Sequence, residues 1–138
     1  MILLDAGYFL ALFNPRDHLH EPAVAWTQRI EEPALVTGHI LWECVNAFSS
    51  SEHRPSAHAI VRYVRSAPGF HFLPASEALF EAGLRLHLNR PDKAWSLTDC
   101  ISFHVMRDRG ITKALAYDHH FEQAGFEALL RRDPPAES

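Results

Sequence analysis

Four short apolar runs, Ile2–Leu4, Ala34–Thr37, Phe70–Leu73 and Ala114–Tyr117, constrain this chain most, because longer stretches with helical spacing separate them. A run of three or four apolar residues is too short for a helix core, and reads as a strand buried on both faces. Strands of that kind joined by helices belong to a parallel sheet, since a parallel pair needs a crossover of a dozen or more residues. Between the runs, apolar positions recur at helical spacing over 20–31, 39–50, 56–66, 76–88 and 97–109. The segment Gly7–Phe13 is too short and apolar for a surface helix, Ser76 and Ser96 offer capping hydroxyls, and Gly110 is placed to stop the 97–109 helix. Ala128–Leu130 is a weak fifth strand, and Arg131–Ser138, with Pro134 and Pro135, reads as a frayed tail. The expected architecture is α/β, with a central parallel sheet of four to five strands, and one domain over residues 1–131 followed by the tail 132–138.

In such sheets the site lies outside the carboxyl ends of the strands, where strand order reverses. That rule directs attention to residues just after strands and in the first turns of the helices that follow. Asp5 follows the first strand, Asp118 the fourth, Asp99 lies in the first turn of the 97–109 helix, and Glu43 one turn inside the 39–50 helix. Each has an ordinary alternative. Ser96-Leu97-Thr98-Asp99 fits a capping box, so Asp99 could serve only its helix. Asp5 and Asp118 could be turn residues at strand ends. Glu43 is harder to dismiss, because its neighbours Leu41, Trp42, Cys44 and Val45 are mostly apolar and a charge is rarely buried without a partner. Two carboxylates ~4 Å apart repel by roughly 1–4 kcal/mol at effective dielectrics of about 80 to 20. Three or four together therefore call for a cation, and an all-oxygen set suits Mg²⁺ or Mn²⁺ rather than Zn²⁺. Such a centre performs phosphoryl transfer.

The segments Ile2-Leu3-Leu4-Asp5, Glu43-Cys44-Val45-Asn46, Leu97-Thr98-Asp99-Cys100 and Ala116-Tyr117-Asp118-His119-His120-Phe121 occur in the order, and at about the spacing, of the PIN-domain nucleases. Over about residues 1–130 the chain resembles that family, and within it the VapC-type toxins of bacterial toxin–antitoxin pairs. The resemblance implies a three-layer α/β/α sandwich and an endoribonuclease in which Asp5, Glu43, Asp99 and Asp118 are both catalytic and metal-binding. It implies Mg²⁺ as cofactor, with Mn²⁺ as substitute, RNA as substrate, a cognate antitoxin and a homodimer. Two positions depart from the pattern: Ala6 stands where many relatives have Ser or Thr, and Ala116 where many have a hydroxyl residue. Both changes remove side chains that could hydrogen-bond a ligand, with Asn46 and Thr98 as possible substitutes. They keep open a PIN-type RNase outside toxin systems, and a catalytically weak module that binds RNA or protein.

Charge looks adverse at first, with thirteen basic against seventeen acidic residues and a net charge of -4. Residues 44–113, however, carry nine basic and six acidic side chains, so the positive excess lies in the middle of the chain. Arg54, Arg62, Arg65, Arg85, Arg90 and Lys93 are candidates for RNA phosphates, and Trp42 and Trp95 for base stacking, although packing in the core or at its rim is the expectation for both tryptophans. Ten histidines include His18/His20 and His119-His120, yet neither of these pairs has the helical i, i+4 spacing or cysteine partner of a zinc site. His119 or His120 could reach a phosphate. Cys44 and Cys100 are expected to pack in the core. A receiver domain needs adjacent acids after the first strand, and a haloacid-dehalogenase phosphatase needs Asp-x-Asp; Asp5-Ala6-Gly7 offers neither. The longest wholly apolar run, Tyr8–Phe13, is far short of the ~18 residues of a membrane span. Met1 leads straight into Ile-Leu-Leu-Asp with no basic segment, so a cytoplasmic location without membrane contact is expected.

Overall fold

A computed structural model describes residues 1–136. The elements run β1 (Ile2–Leu4), α1 (Ala6–Leu12), α2 (His20–Arg29), β2 (Ala34–Thr37), α3 (Gly38–Ala47), α4 (Arg54–Ser66), β3 (Phe70–Leu73), α5 (Glu77–Asn89), α6 (Leu97–Arg109), β4 (Lys113–Leu115), α7 (His120–Gln123) and β5 (Glu127–Ala128), followed by a 3₁₀ turn at Leu129–Arg131. All five strands are parallel in the order β3-β2-β1-β4-β5. The result is an α/β/α sandwich, as expected. Ile2, Leu3, Leu35, Val36, Ala114 and Leu115 are buried, because helices cover both faces of the central strands. β3 lies at the edge, so His71 and Phe72 face solvent and its run is not buried throughout.

Topology fixes where a site can be. The chain builds β1, β2 and β3 outward in one direction, then returns to lay β4 on the other side of β1. The two loops leaving β1 and β4 therefore diverge and leave a crevice between them. The Asp5 N–H donates to the Leu115 carbonyl at 3.2 Å, which ties the end of β1 to the end of β4.

Helix starts were legible in the side chains. Thr37 Oγ1 accepts from the Ile40 N–H, Ser76 Oγ from the Leu79 N–H, and Ser96 Oγ from the Asp99 N–H. α6 ends at Gly110 in the left-handed region (φ 67°), where a Cβ would be strained. α5 packs on α6, and Gly83 permits the close approach, since a Cβ there would lie 2.4 Å from Ile101 Cγ1.

Three expectations need correction. β4 is Lys113–Leu115 rather than 114–117, so Ala116 and Tyr117 separate Asp118 from the strand. The ladder stops there because β5 supplies only two paired residues, Glu127 and Ala128, before the chain turns; the fifth strand lies one residue earlier than Ala128–Leu130. The short helix α7 was not anticipated; at four residues it carries too little periodicity to be read. Toward the C-terminus, the Trp26 Nε1–H donates to the Arg132 carbonyl at 3.0 Å, and Arg132 pairs with Glu127. Residues 137 and 138 of the expected frayed tail lie outside the described residues.

Candidate metal centre

The four acids arrive from four different parts of the chain. Asp5 leaves β1 as the N-cap residue of α1, Glu43 projects from the middle of α3, Asp99 occupies the first turn of α6, and Asp118 sits in the turn before α7. Together they line one cleft of about 580 Å³, with Asn46, Ser96 and His120 as its other polar walls.

Burial decreases across the group. Asp5 is the innermost, and its carboxyl is pushed up to about 7, first by burial and then by Asp99, Glu43 and Asp118; the Ala6 N–H pulls the other way. Glu43 is also raised, by burial and by Asp99, with a hydrogen bond from Thr98 opposing the shift. Thr98 thus supplies one of the polar contacts that Ala6 and Ala116 do not. Asp99 is half-buried and Asp118 exposed. The Asp5 shift is what a cation would relieve: negative charge is concentrated at a carboxyl with little water around it. Hard oxygen donors of this kind fit Mg²⁺ or Mn²⁺.

Asp99 caps its helix and lines the cleft at the same time. Its Oδ2 accepts from the Ser96 N–H at 3.1 Å, completing the capping box, and from His120 Nδ1 at 3.0 Å. Asp118 Oδ1 likewise accepts from the His120 N–H at 3.0 Å, so the turn role is real as well. The ligand atoms of Asp118, His119 and His120 lie within 4.8 Å of one another. A carboxylate only accepts, so His120 Nδ1 carries the hydrogen it gives to Asp99 Oδ2, and the Nδ1 atoms of both rings lie 3.3 Å from Asp118 Oδ1.

His120 is the residue that sequence reasoning undervalued. Its position two residues after Asp118 was the available signal, because an Asx-type turn holds the i+2 backbone N–H, and with it the start of that residue's side chain, close to the carboxylate. Of core and rim packing, the core is ruled out for Trp42: it is 66% exposed, with its ring 5.9 Å from that of His39, because it occupies the solvent side of α3 one position from Glu43. Trp95 is buried, with its Nε1–H on Gln123 and Arg90 over its ring, as packing predicted. Cys44 and Cys100 are buried and unpaired, and burial beside Asp5 and Glu43 pushes the Cys44 thiol up to about 12.

Comparison with known proteins extends this picture. The model of the PIN domain family matches residues 2–127. The chain is 27% identical over 129 residues to the 23S rRNA-specific endonuclease VapC20 of Mycobacterium tuberculosis strain CDC 1551 / Oshkosh, covering 91% of this chain and 95% of that protein. The same protein of strain H37Rv gives the same values. The crystal structure of M. tuberculosis VapC20, a sarcin-ricin loop cleaving toxin, superposes with a TM-score of 0.86 at 24% sequence identity, covering 94% of this chain and 98% of that one. At that identity the superposition speaks for the fold. The family match runs from the first strand into the last and takes in all four acids, so the chain belongs to the PIN domain family.

Proposed function

We propose that this protein is a divalent-metal-dependent endoribonuclease, the toxin of a toxin–antitoxin pair, with Asp5, Glu43, Asp99 and Asp118 as its metal-ligating and catalytic residues. The observation that carries the reading is the convergence of four acids, from four separate elements, in one cleft at the sheet's reversal point. A carboxyl raised to about 7, first by loss of water and then by like charges, is unfavourable in a structural role and useful in a metal site. Bound there, Mg²⁺ or Mn²⁺ would supply water activation and stabilise charge developing at a scissile phosphorus. The protein's own part is to hold the oxygens. Asp5 is anchored through the Leu115 carbonyl, Glu43 through Thr98, Asp99 through its cap, and Asp118 through the His120 N–H.

RNA as substrate is supported by the VapC20 relatives, which are named for cleaving rRNA. Trp42 gives a single-stranded base a stacking surface beside Glu43. Base–aromatic stacking is worth about 1–3 kcal/mol, so Trp42→Ala is expected to raise KM for RNA roughly 5- to 150-fold with kcat and Mg²⁺ dependence retained. An unchanged KM would remove Trp42 from the substrate path. A homodimer is supported by Phe80, Leu84 and Leu88, an exposed apolar stripe at i, i+4, i+8 on α5; light scattering should give twice the chain mass. An antitoxin partner and a cytoplasmic location are inferred from the same relatives. No helix among the described residues is long and apolar enough to cross a membrane.

The test is RNA cleavage by the purified protein, lost in EDTA and restored by Mg²⁺, with a pH signature of the raised carboxyls, Asp5 foremost. The folded-state value of Asp5, about 7, lies above its ordinary 3.8, so the native metal-free protein holds an extra proton between those values. Its stability therefore falls as pH rises through that window, because the unfolded chain loses the proton first. Metal competes with that proton. Added Mg²⁺ should stabilise the fold more at about pH 8 than at about pH 6, by up to ~2.7 kcal/mol at ~100 times its Kd, read as a rise in thermal midpoint. Cleavage that survives EDTA would overturn the reading. Carboxylate-independent Mg²⁺ effects with no cleavage would favour the weak RNA- or protein-binding module.

A further inference from the structure

We infer that His120 is a positioning residue that joins two of the metal ligands and fixes which oxygen each presents to the cleft. This rests on the metal-nuclease reading above. His120 Nδ1–H donates to Asp99 Oδ2 at 3.0 Å and Nδ1 lies 3.3 Å from Asp118 Oδ1, so one ring atom stands between carboxylates from two separate elements. The ring is largely buried, at 17% side-chain exposure against 15% for Asp99, so water competes little for that contact.

The remaining hydrogen bonds give the contact its consequence. Asp99 Oδ2 also takes the Ser96 N–H, and Asp118 Oδ1 also takes the His120 backbone N–H and faces His119 Nδ1. On each carboxylate the neighbours engage the same oxygen, which directs the other one, Asp99 Oδ1 or Asp118 Oδ2, to a cation. Without the imidazole, Asp118 keeps only its local turn to orient it. It is the most exposed of the four acids and lies three residues beyond its strand, so it has the most freedom to lose. Outer hydrogen-bond partners of this kind typically change metal affinity by about 10- to 100-fold.

Mn²⁺ binding to the full chain, followed by calorimetry or electron paramagnetic resonance, tests the inference in the wild type, His120→Ala and His120→Asn. His120→Ala should weaken Mn²⁺ binding about 10- to 100-fold. His120→Asn should recover most of the loss, because its amide N–H can occupy the place of Nδ1–H while lacking the far side of the ring. The Mg²⁺ concentration for half-maximal cleavage should move in parallel. Wild-type affinity in His120→Ala would overturn the inference, as would equal impairment of the Ala and Asn variants, which would mark a packing role or one for Nε2. Asp5→Asn separates the two levels of the argument. If neither it nor His120→Ala alters Mn²⁺ binding, the metal-nuclease reading fails; if Asp5→Asn abolishes binding and His120→Ala leaves it intact, only the role of His120 fails.

Discussion

Asp5→Asn is expected to remove RNA cleavage while leaving the protein as stable as before or more so. Asp5 follows the central strand, is the innermost acid of the cleft, and feels burial together with Asp99, Glu43 and Asp118. Asn preserves shape and can still accept from the Ala6 N–H, so the local backbone is not disturbed. What disappears is the anionic oxygen. If metal supplies several kcal/mol of transition-state stabilisation, the loss of one central ligand should lower the rate on the order of 10³-fold or more. Stability should move the other way. Above about pH 7 the wild type must hold Asp5 ionised among like charges, and the neutral amide relieves that repulsion. The paired readout is cleavage rate with thermal midpoint in EDTA at about pH 8. Cleavage at the wild-type rate would defeat the four-acid site. A large fall in the midpoint would show instead that Asp5 is structural. Asp99→Asn should lose cleavage comparably but also weaken its cap, since its Oδ2 serves both Ser96 and His120.

Phe103→Ala is expected to cost about 3–5 kcal/mol, a large share of the ~5–15 kcal/mol that holds a domain together. Phe103 is fully buried on α6 and its ring meets Trp95 at 5.0 Å, Phe121 at 5.0 Å and Phe126 at 5.7 Å. Truncation removes those contacts and leaves a void that rigid aromatic neighbours fill poorly. With a urea slope of about 2 kcal/mol/M, the unfolding midpoint should fall by roughly 2 M. Function should suffer beyond stability, because the cluster braces two flanks of the cleft. Trp95 immediately precedes the Ser96 cap, and Phe121 immediately follows His120. Phe103→Leu, which keeps much of the volume, should lose distinctly less. A midpoint unchanged in Phe103→Ala would mean that the aromatic cluster contributes little.

Much of the fold could be read from the chain because buried strands and amphipathic helices each leave a periodic mark. Ile2–Leu4 and Ala34–Thr37 read as strands because both faces are covered, and α6 reads clearly between its Ser96 cap and Gly110. Signals failed where an element was too short to have a period. β4 and α7, of three and four residues, take their limits from pairing with β5 and from the turn at Asp118 rather than from their own sequence. Trp42 failed for another reason. Its apolar side chain suggested packing, but whether a helix position faces core or solvent depends on which way the helix is docked.

Four acids of the right type, placed after strands and near helix starts, were determined by sequence alone, as was the α/β architecture that lets such residues meet. Their meeting was decided by tertiary structure: only the return of β4 beside β1 brings Asp118 to Asp5, and only docking of α3 and α6 adds Glu43 and Asp99. The same packing made Asp99 a cap and a cleft residue together and set His120 between two carboxylates. Spacing along a chain specifies local geometry, whereas proximity between residues up to 113 positions apart in number, as Asp5 and Asp118 are, arises from burial of the sheet between its helices.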